Sequence, residues 1–264
     1  MGILERVLAR ADADPAVLGV ILTGSQARGT AGAWSDYDVV IVVAEQTVPW
    51  RHATRTAELD EVVCTPDALA DTSVHWQRYA YRGARVLLDR LDGGIANLVE
   101  RQAVLSNEEA GQHARTALDA YINQLYRAVK SHRDGRAEAA YLDEMESVPW
   151  LLETVFALFG RLRPYNKYLQ WELEQFPLPG DWNAALMPER VFAQAFALFP
   201  AVEALARHHG HADVLDAWQS DIELIRTFAA GSRLPAARNQ SLAVRSQGGR
   251  WEPGSRRRRP ASDG

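Results

Sequence analysis

The run GSQARGTAGAWSDYDVVIVV, Gly24 to Val43, constrains this chain more than any other segment. An apolar stretch, Val17 to Thr23, feeds into Gly24-Ser25, and eleven residues after Ser25 the acids Asp36 and Asp38 open a second apolar stretch. Both stretches are expected as buried strands. In an extended chain successive side chains point to opposite faces, so Asp36 and Asp38 point one way and Tyr37 the other. Two carboxylates held that close repel and raise one another's pKa unless a cation sits between them. Hard oxygen ligands of this kind suit Mg2+ bridging the phosphates of a nucleotide.

Gly24-Ser25 supplies the complementary half. Glycine lets the backbone approach a polyphosphate closely, and the Ser25 hydroxyl with the amides that follow, at the expected start of a helix, can donate to phosphate oxygens. Arg28 lies about one helical turn further on and can add charge-assisted contacts. Each part alone is common at turns and strand ends. Strand, Gly-Ser, short polar segment, Asp-x-Asp and strand in that order is a far more specific arrangement.

That arrangement resembles the signature of the nucleotidyltransferase superfamily that includes DNA polymerase beta, and most closely its small bacterial branch of antibiotic nucleotidyltransferases. The matching positions are Gly24, Ser25, Ala27, Arg28, Gly29, Ser35, Asp36 and Asp38. The resemblance is strong over residues 1–90 and weaker beyond them. It implies Mg2+, as two ions, held by Asp36, Asp38 and a third acid, with ATP or another nucleoside triphosphate as co-substrate bound through Gly24 and Ser25. Family members place the third acid on a neighbouring strand, here Leu59 to Cys64, which Thr65-Pro66 ends. Asp60 is favoured because it shares a face with Val62 and Cys64; Glu61 competes, since a slip of one residue turns a strand over.

The fold expected is α/β (α+β): an N-terminal mixed-sheet nucleotidyltransferase domain over residues 1–94, a C-terminal all-helical bundle over 95–231, and a disordered Arg-rich tail over 232–264. An amphipathic helix carrying Ile3, Leu4, Val7 and Leu8 on one face precedes the strands, and Val39 to Ala44, Leu59 to Cys64 and Val86 to Asp89 follow. After Ile95 the strand signals stop. Apolar residues then recur at helical spacing through Leu118, Tyr121, Ile122, Leu125, Tyr126 and Val129, and again from Trp150 to Phe159. Pro164, Pro177, Pro179, Pro188 and Pro200 punctuate later helices, and Gly210 ends one. An apolar helix over Val191 to Leu198 leaves room for a homodimer.

Composition limits the partners. Hydrophobic residues make up 47% and charged residues 24% of 264 residues, ordinary for a globular protein. No apolar run approaches the roughly 20 residues that span a bilayer, and the first residues lack the basic start and apolar centre of a secretory signal, so a cytoplasmic protein with no membrane partner is expected. The single cysteine, Cys64, excludes an intramolecular disulfide and a cysteine-rich zinc cage, and in an apolar strand it reads as a small core residue. The net charge of −5 is uneven: residues 232–264 hold eight arginines against Glu252 and Asp263, a balance of +6, which leaves −11 on residues 1–231. A body so acidic is a poor surface for duplex nucleic acid and suits a small cationic acceptor. The arginine run of the tail is expected to be solvated.

The helical region offers further candidates. In some family members a carboxylate from this domain takes the hydroxyl proton, and Glu144, Glu146 and Glu153 compete for that role, with Glu153 foremost because it interrupts an apolar segment. In RLRPYNKYLQWELEQF, Arg161 to Phe176, Lys167 is the candidate nucleotide contact, with Tyr165, Tyr168 and Trp171 available to stack a ring or to pack in the bundle. His208, His209 and His211 surround Gly210 but, without supporting cysteines, do not read as a zinc site. Arg127 to His132, RAVKSH, resembles the Arg-x4-His pattern of helical ribonuclease domains found beside small nucleotidyltransferases in toxin–antitoxin systems; residues five apart do not face each other on a helix. The expected activity is Mg2+-dependent transfer of a nucleoside monophosphate, AMP from ATP, to a hydroxyl of a small molecule such as an aminoglycoside-like or lincosamide-like antibiotic, and hence antibiotic resistance. The alternatives are a toxin–antitoxin nucleotidyltransferase acting on protein or RNA, and a silent nucleotide-binding module.

Overall fold

The computed structural model describes residues 1–47, 50 and 54–231. The Arg-rich tail therefore lies outside the described residues, as does Arg256 to Arg259 within it. The chain opens with helix α1 (Ile3–Asp12), whose Val7 is buried and whose Leu4 and Leu8 pack against the sheet, the face expected from the sequence. Strand β1 (Val17–Thr23) passes into the short helix α2 (Gly24–Arg28), which Gly29 ends in the left-handed conformation at φ 72°. Strands β2 (Tyr37–Val43), β3 (Thr54–Arg55) and β4 (Leu59–Cys64) follow, then helices α3 (Pro66–Ala70) and α4 (His75–Arg78) and strand β5 (Arg85–Asp89).

The five strands form one mixed sheet in the order β3-β4-β2-β1-β5. β1 runs antiparallel to both β2 and β5, whereas β2 and β4 are parallel. The expected mixed sheet is therefore present. Its central strands bury both faces: Val17, Val20, Leu22, Val39, Ile41 and Val43 pack on one side against α1, while Ile21, Val40 and Val42 meet Leu69, Ile95 and Val99 on the other. Strand β2 begins at Tyr37 and not at Val39, because Tyr37 pairs with Leu59 of β4 and Asp38 with both Asp60 of β4 and Thr23 of β1. The short β3 was not anticipated; two exposed residues carry no hydrophobic signal.

Beyond β5 every regular element is helical among the described residues. After the turn at Asp92 and Gly93, α5 (Gly94–Ala103) leads to the two long helices α6 (Asn107–Arg133) and α7 (Ala137–Leu158). They form the bundle core through Leu118, Tyr121, Ile122 and Leu125 against Leu151, Val155 and Phe156, as the helical periodicity predicts. Helices α8 (Leu169–Gln175), α9 (Trp182–Ala185), α10 (Pro188–Val191), α11 (Phe199–His208), α12 (Ala212–Ala217) and α13 (Gln219–Gly231) complete the bundle. The helix expected over Val191 to Leu198 is absent. Ala193 and Gln194 donate to the third residue back, at 3.2 Å each, so the chain turns tightly after Val191. That turning sends Val191, Ala195 and Phe196 into the bundle core and leaves Phe192 exposed.

Candidate active site

Asp38 sits where three strands meet. Across the antiparallel ladder it pairs with Thr23, the last residue of β1, and across the parallel ladder with Asp60 of β4. Residues in register on adjacent strands project to the same face, so the carboxylates of Asp38 and Asp60 lie side by side. Burial raises the Asp38 carboxyl above its ordinary value, and the charges of Asp36 and Asp60 raise it further, while Lys167 and Arg28 act in the opposite sense. Three acids, a lysine and an arginine expected from the sequence thus share one electrostatic neighbourhood.

Gly24 closes this site from below. It adopts φ +66°, and a Cβ built on it would lie 1.8 Å from Asp38 Oδ2. Only a residue without a side chain lets the end of β1 pass so near that carboxylate. Ser25, the next residue, is 1% exposed at the first turn of α2.

The two competitors for the third acid separate cleanly. Asp60 accepts from Arg55 at 2.7 Å on the Asp38 face of the sheet, and Arg55 itself is largely solvent-exposed. Glu61 points to the other face, is 2% exposed, and pairs with Arg10 of α1. Its role is to join α1 to the sheet.

Arg28 is placed differently from a free phosphate ligand. Its Nη2 donates to the carbonyls of Tyr79 at 2.9 Å and Ala80 at 3.2 Å, and its guanidinium lies 4.4 Å from the Tyr168 ring centre, with Tyr79 and Trp171 also around it. Tyr168 and Trp171 thus cage an arginine instead of standing free to stack a base. Arg28 ties α2 to the segment before α8, and its charge reaches Asp38 from there. Lys167, exposed in the 3-10 turn Asn166–Tyr168, is also among the cations acting on Asp38. Beneath this turn Glu172, 1% exposed, accepts from Tyr79 Oη at 2.9 Å and Arg161 at 2.5 Å. That buried network was not visible in the sequence, because its members lie up to 93 residues apart.

Glu153 belongs to a different cluster. Its Oε2 is 2.8 Å from His113 Nε2 and 4.0 Å from His75 Nε2, and its Oε1 lies 3.5 Å from Arg163. Burial pushes its carboxyl up, but the hydrogen bond from His113 and the charges of His113, Arg163 and His75 outweigh that and hold it low. Among the described residues no hydrogen bond or ion pair joins it to Asp36, Asp38 or Asp60. Glu144 bonds His132 at 2.5 Å, and Glu146 is exposed. Arg127 and His132 of the RAVKSH segment pair separately with Asp143 and Glu144 of α7. Cys64 is half-buried against the cluster of Ile21, Val40 and Val42, and burial raises its thiol to about 11.

Residues 2–116 match the family described as nucleotidyltransferase domain. The crystal structure of a nucleotidyltransferase-like protein from Exiguobacterium sibiricum 255-15 is 13% identical over 91% of this chain and 95% of that one, with a TM-score of 0.44. No curated protein matches the chain.

Proposed function

We propose, from the premise that residues 2–116 are a nucleotidyltransferase domain and the chain a transferase, that it moves the nucleoside monophosphate of ATP or another nucleoside triphosphate onto a hydroxyl of a small cationic molecule of the aminoglycoside or lincosamide kind. The observation that carries this reading is the side-by-side register of Asp38 and Asp60 with Asp36 in the same electrostatic neighbourhood. Oxygen donors whose mutual repulsion raises one of their number fit a hard divalent ion. Asp36, Asp38 and Asp60 would hold Mg2+, which when bound polarises the phosphoryl oxygens and neutralises the leaving pyrophosphate.

The remaining work falls to the chain. Gly24 gives the triphosphate close access to the backbone beside Asp38, and Lys167 brings a positive charge toward the same phosphates. The acceptor oxygen forms a bond to the α-phosphorus as the bond from that phosphorus to the bridging oxygen breaks, and pyrophosphate carries away the electron pair. Asp60, paired with the exposed Arg55, takes the hydroxyl proton. Glu153, with its carboxylate engaged by His113 and Arg163, is not assigned that role.

The test is incubation of the purified protein with α-labelled ATP, GTP, CTP and UTP in turn, Mg2+ and separate panels of aminoglycosides, lincosamides, tRNA and proteins. Label on a small hydroxylated acceptor supports the proposal. Label on a macromolecule alone, or on nothing, contradicts it.

A further inference from the structure

Outside the acid trio, three side chains from three helices point at one place. His75 opens α4, His113 lies in α6 and Glu153 in α7; their donor atoms all fall within 4.8 Å of one another. A hydrogen bond explains His113, whose Nε2 is 2.8 Å from Glu153 Oε2. It does not explain His75. That ring stacks on His113 with centroids 3.7 Å apart and presents its own Nε2 to the same carboxylate oxygen at 4.0 Å, too far for a hydrogen bond.

We propose that His75, His113 and Glu153 form a binding site for a divalent transition ion of the Zn2+ class. Two imidazoles and one carboxylate are a known donor set for zinc, and imidazole selects such ions over Mg2+. Ligand atoms about 2.1 Å from a tetrahedral ion stand about 3.4 Å from one another, between the two separations found here. The site therefore needs the His113 contact to open and the His75 contact to close, each by about 0.6 Å, and the two stacked rings to turn from their 24° face-to-face arrangement so that both nitrogen lone pairs converge on the ion. Arg163, at 3.5 Å, holds Oε1 and so directs Oε2 toward the two rings. The side chains are 27%, 24% and 18% exposed, which leaves a route for the ion and a position for water. Joining α4 to α6 and α7 would fix the segment after β4 against the bundle.

This inference does not depend on the nucleotidyl transfer proposed above. Isothermal titration of the full chain with ZnCl2 in excess Mg2+ should show one zinc per chain, with Tm rising by about 5 °C or more at a hundredfold excess over Kd. His75→Ala and His113→Ala should each weaken binding by about 100-fold or more, while the double variant Asp36→Asn/Asp38→Asn keeps it. Imidazole NMR of the wild type guards against variants that misfold: zinc should shift the His75 and His113 nitrogen resonances together. No zinc uptake by the wild type, uptake undiminished in both histidine variants, or zinc shifts confined to other histidines would overturn the proposal.

Discussion

At Gly24 the absence of one methyl group decides whether the acids can assemble. A Cβ there would overlap Asp38 Oδ2 at 1.8 Å, and φ +66° is unfavourable for any other residue type. Gly24→Ala should lower kcat/KM by about 100-fold, the effect of displacing a catalytic group by about an ångström, and cost about 1–3 kcal/mol of stability from backbone strain; steady-state kinetics and thermal melts check both. The neighbouring acids Asp60 and Glu61 should divide their effects. Asp60→Asn should abolish transfer and leave the melt almost unchanged, because its partner Arg55 is exposed. Glu61→Gln should do the reverse, with activity retained and stability reduced by about 1–3 kcal/mol, since a buried carboxylate pairs there with Arg10. Comparing kinetics and denaturation curves for the two variants separates the roles. Alternation along a strand is a local rule and suggests the pair Asp36 and Asp38; in the structure Asp36 lies one residue before β2, and its charge acts on Asp38. The choice between Asp60 and Glu61 was argued from the same rule, and the ladder to β2 shows which of them faces Asp38.

Elements were readable where an apolar run had clear ends. β1 and β4 begin and stop at the residues their hydrophobic stretches indicated, because Gly24 and Pro66 end them. Val191 to Leu198 misled because its apolar residues serve a tight turn that enters the core, and composition does not distinguish that from a helix. At the start of α6, Ser106 and Glu109 cap each other, and Glu109 also accepts from Thr72 and from Arg78, which is 2% exposed and further bonded to the carbonyls of Arg101, Gln102 and Val104. Burial acts to raise the Glu109 carboxyl, but the Ser106 bonds, Arg78 and Thr72 prevail and bring it to about 2 from 4.5. A group depressed in the folded state stabilises the fold above its unfolded pKa and loses that contribution as pH falls through its folded one. Stability should therefore decline between about pH 4.5 and about pH 2 in part through this residue. In Glu109→Gln the acid limb of stability against pH, followed by urea denaturation, should be shallower; an unchanged limb would show that Glu109 plays no part in it.

On the scale of the whole molecule, a mixed sheet followed by helices was legible from the change of period near residue 95, from alternation to helical spacing. The connections between them were not. Arg28 among Tyr79, Tyr168 and Trp171, Glu172 beneath them, and the cluster of His75, His113 and Glu153 each join residues far apart in the chain, and no short motif announces such a meeting. Glu153 stands out in the sequence as a glutamate in an apolar segment, and its charged neighbours in the structure are His75, His113 and Arg163. The acidic body, −11 over residues 1–231, remains the basis for favouring a cationic acceptor. In the function proposed above, Asp36 and Asp38 hold the metal through which the nucleotide is bound. Calorimetric titration with a non-hydrolysable ATP analogue, with and without Mg2+, tests it most directly. The account predicts Mg2+-dependent binding by the wild type that falls by about 100-fold or more in the folded Asp36→Asn/Asp38→Asn variant; equal affinity in the two proteins, or binding indifferent to Mg2+, would contradict it.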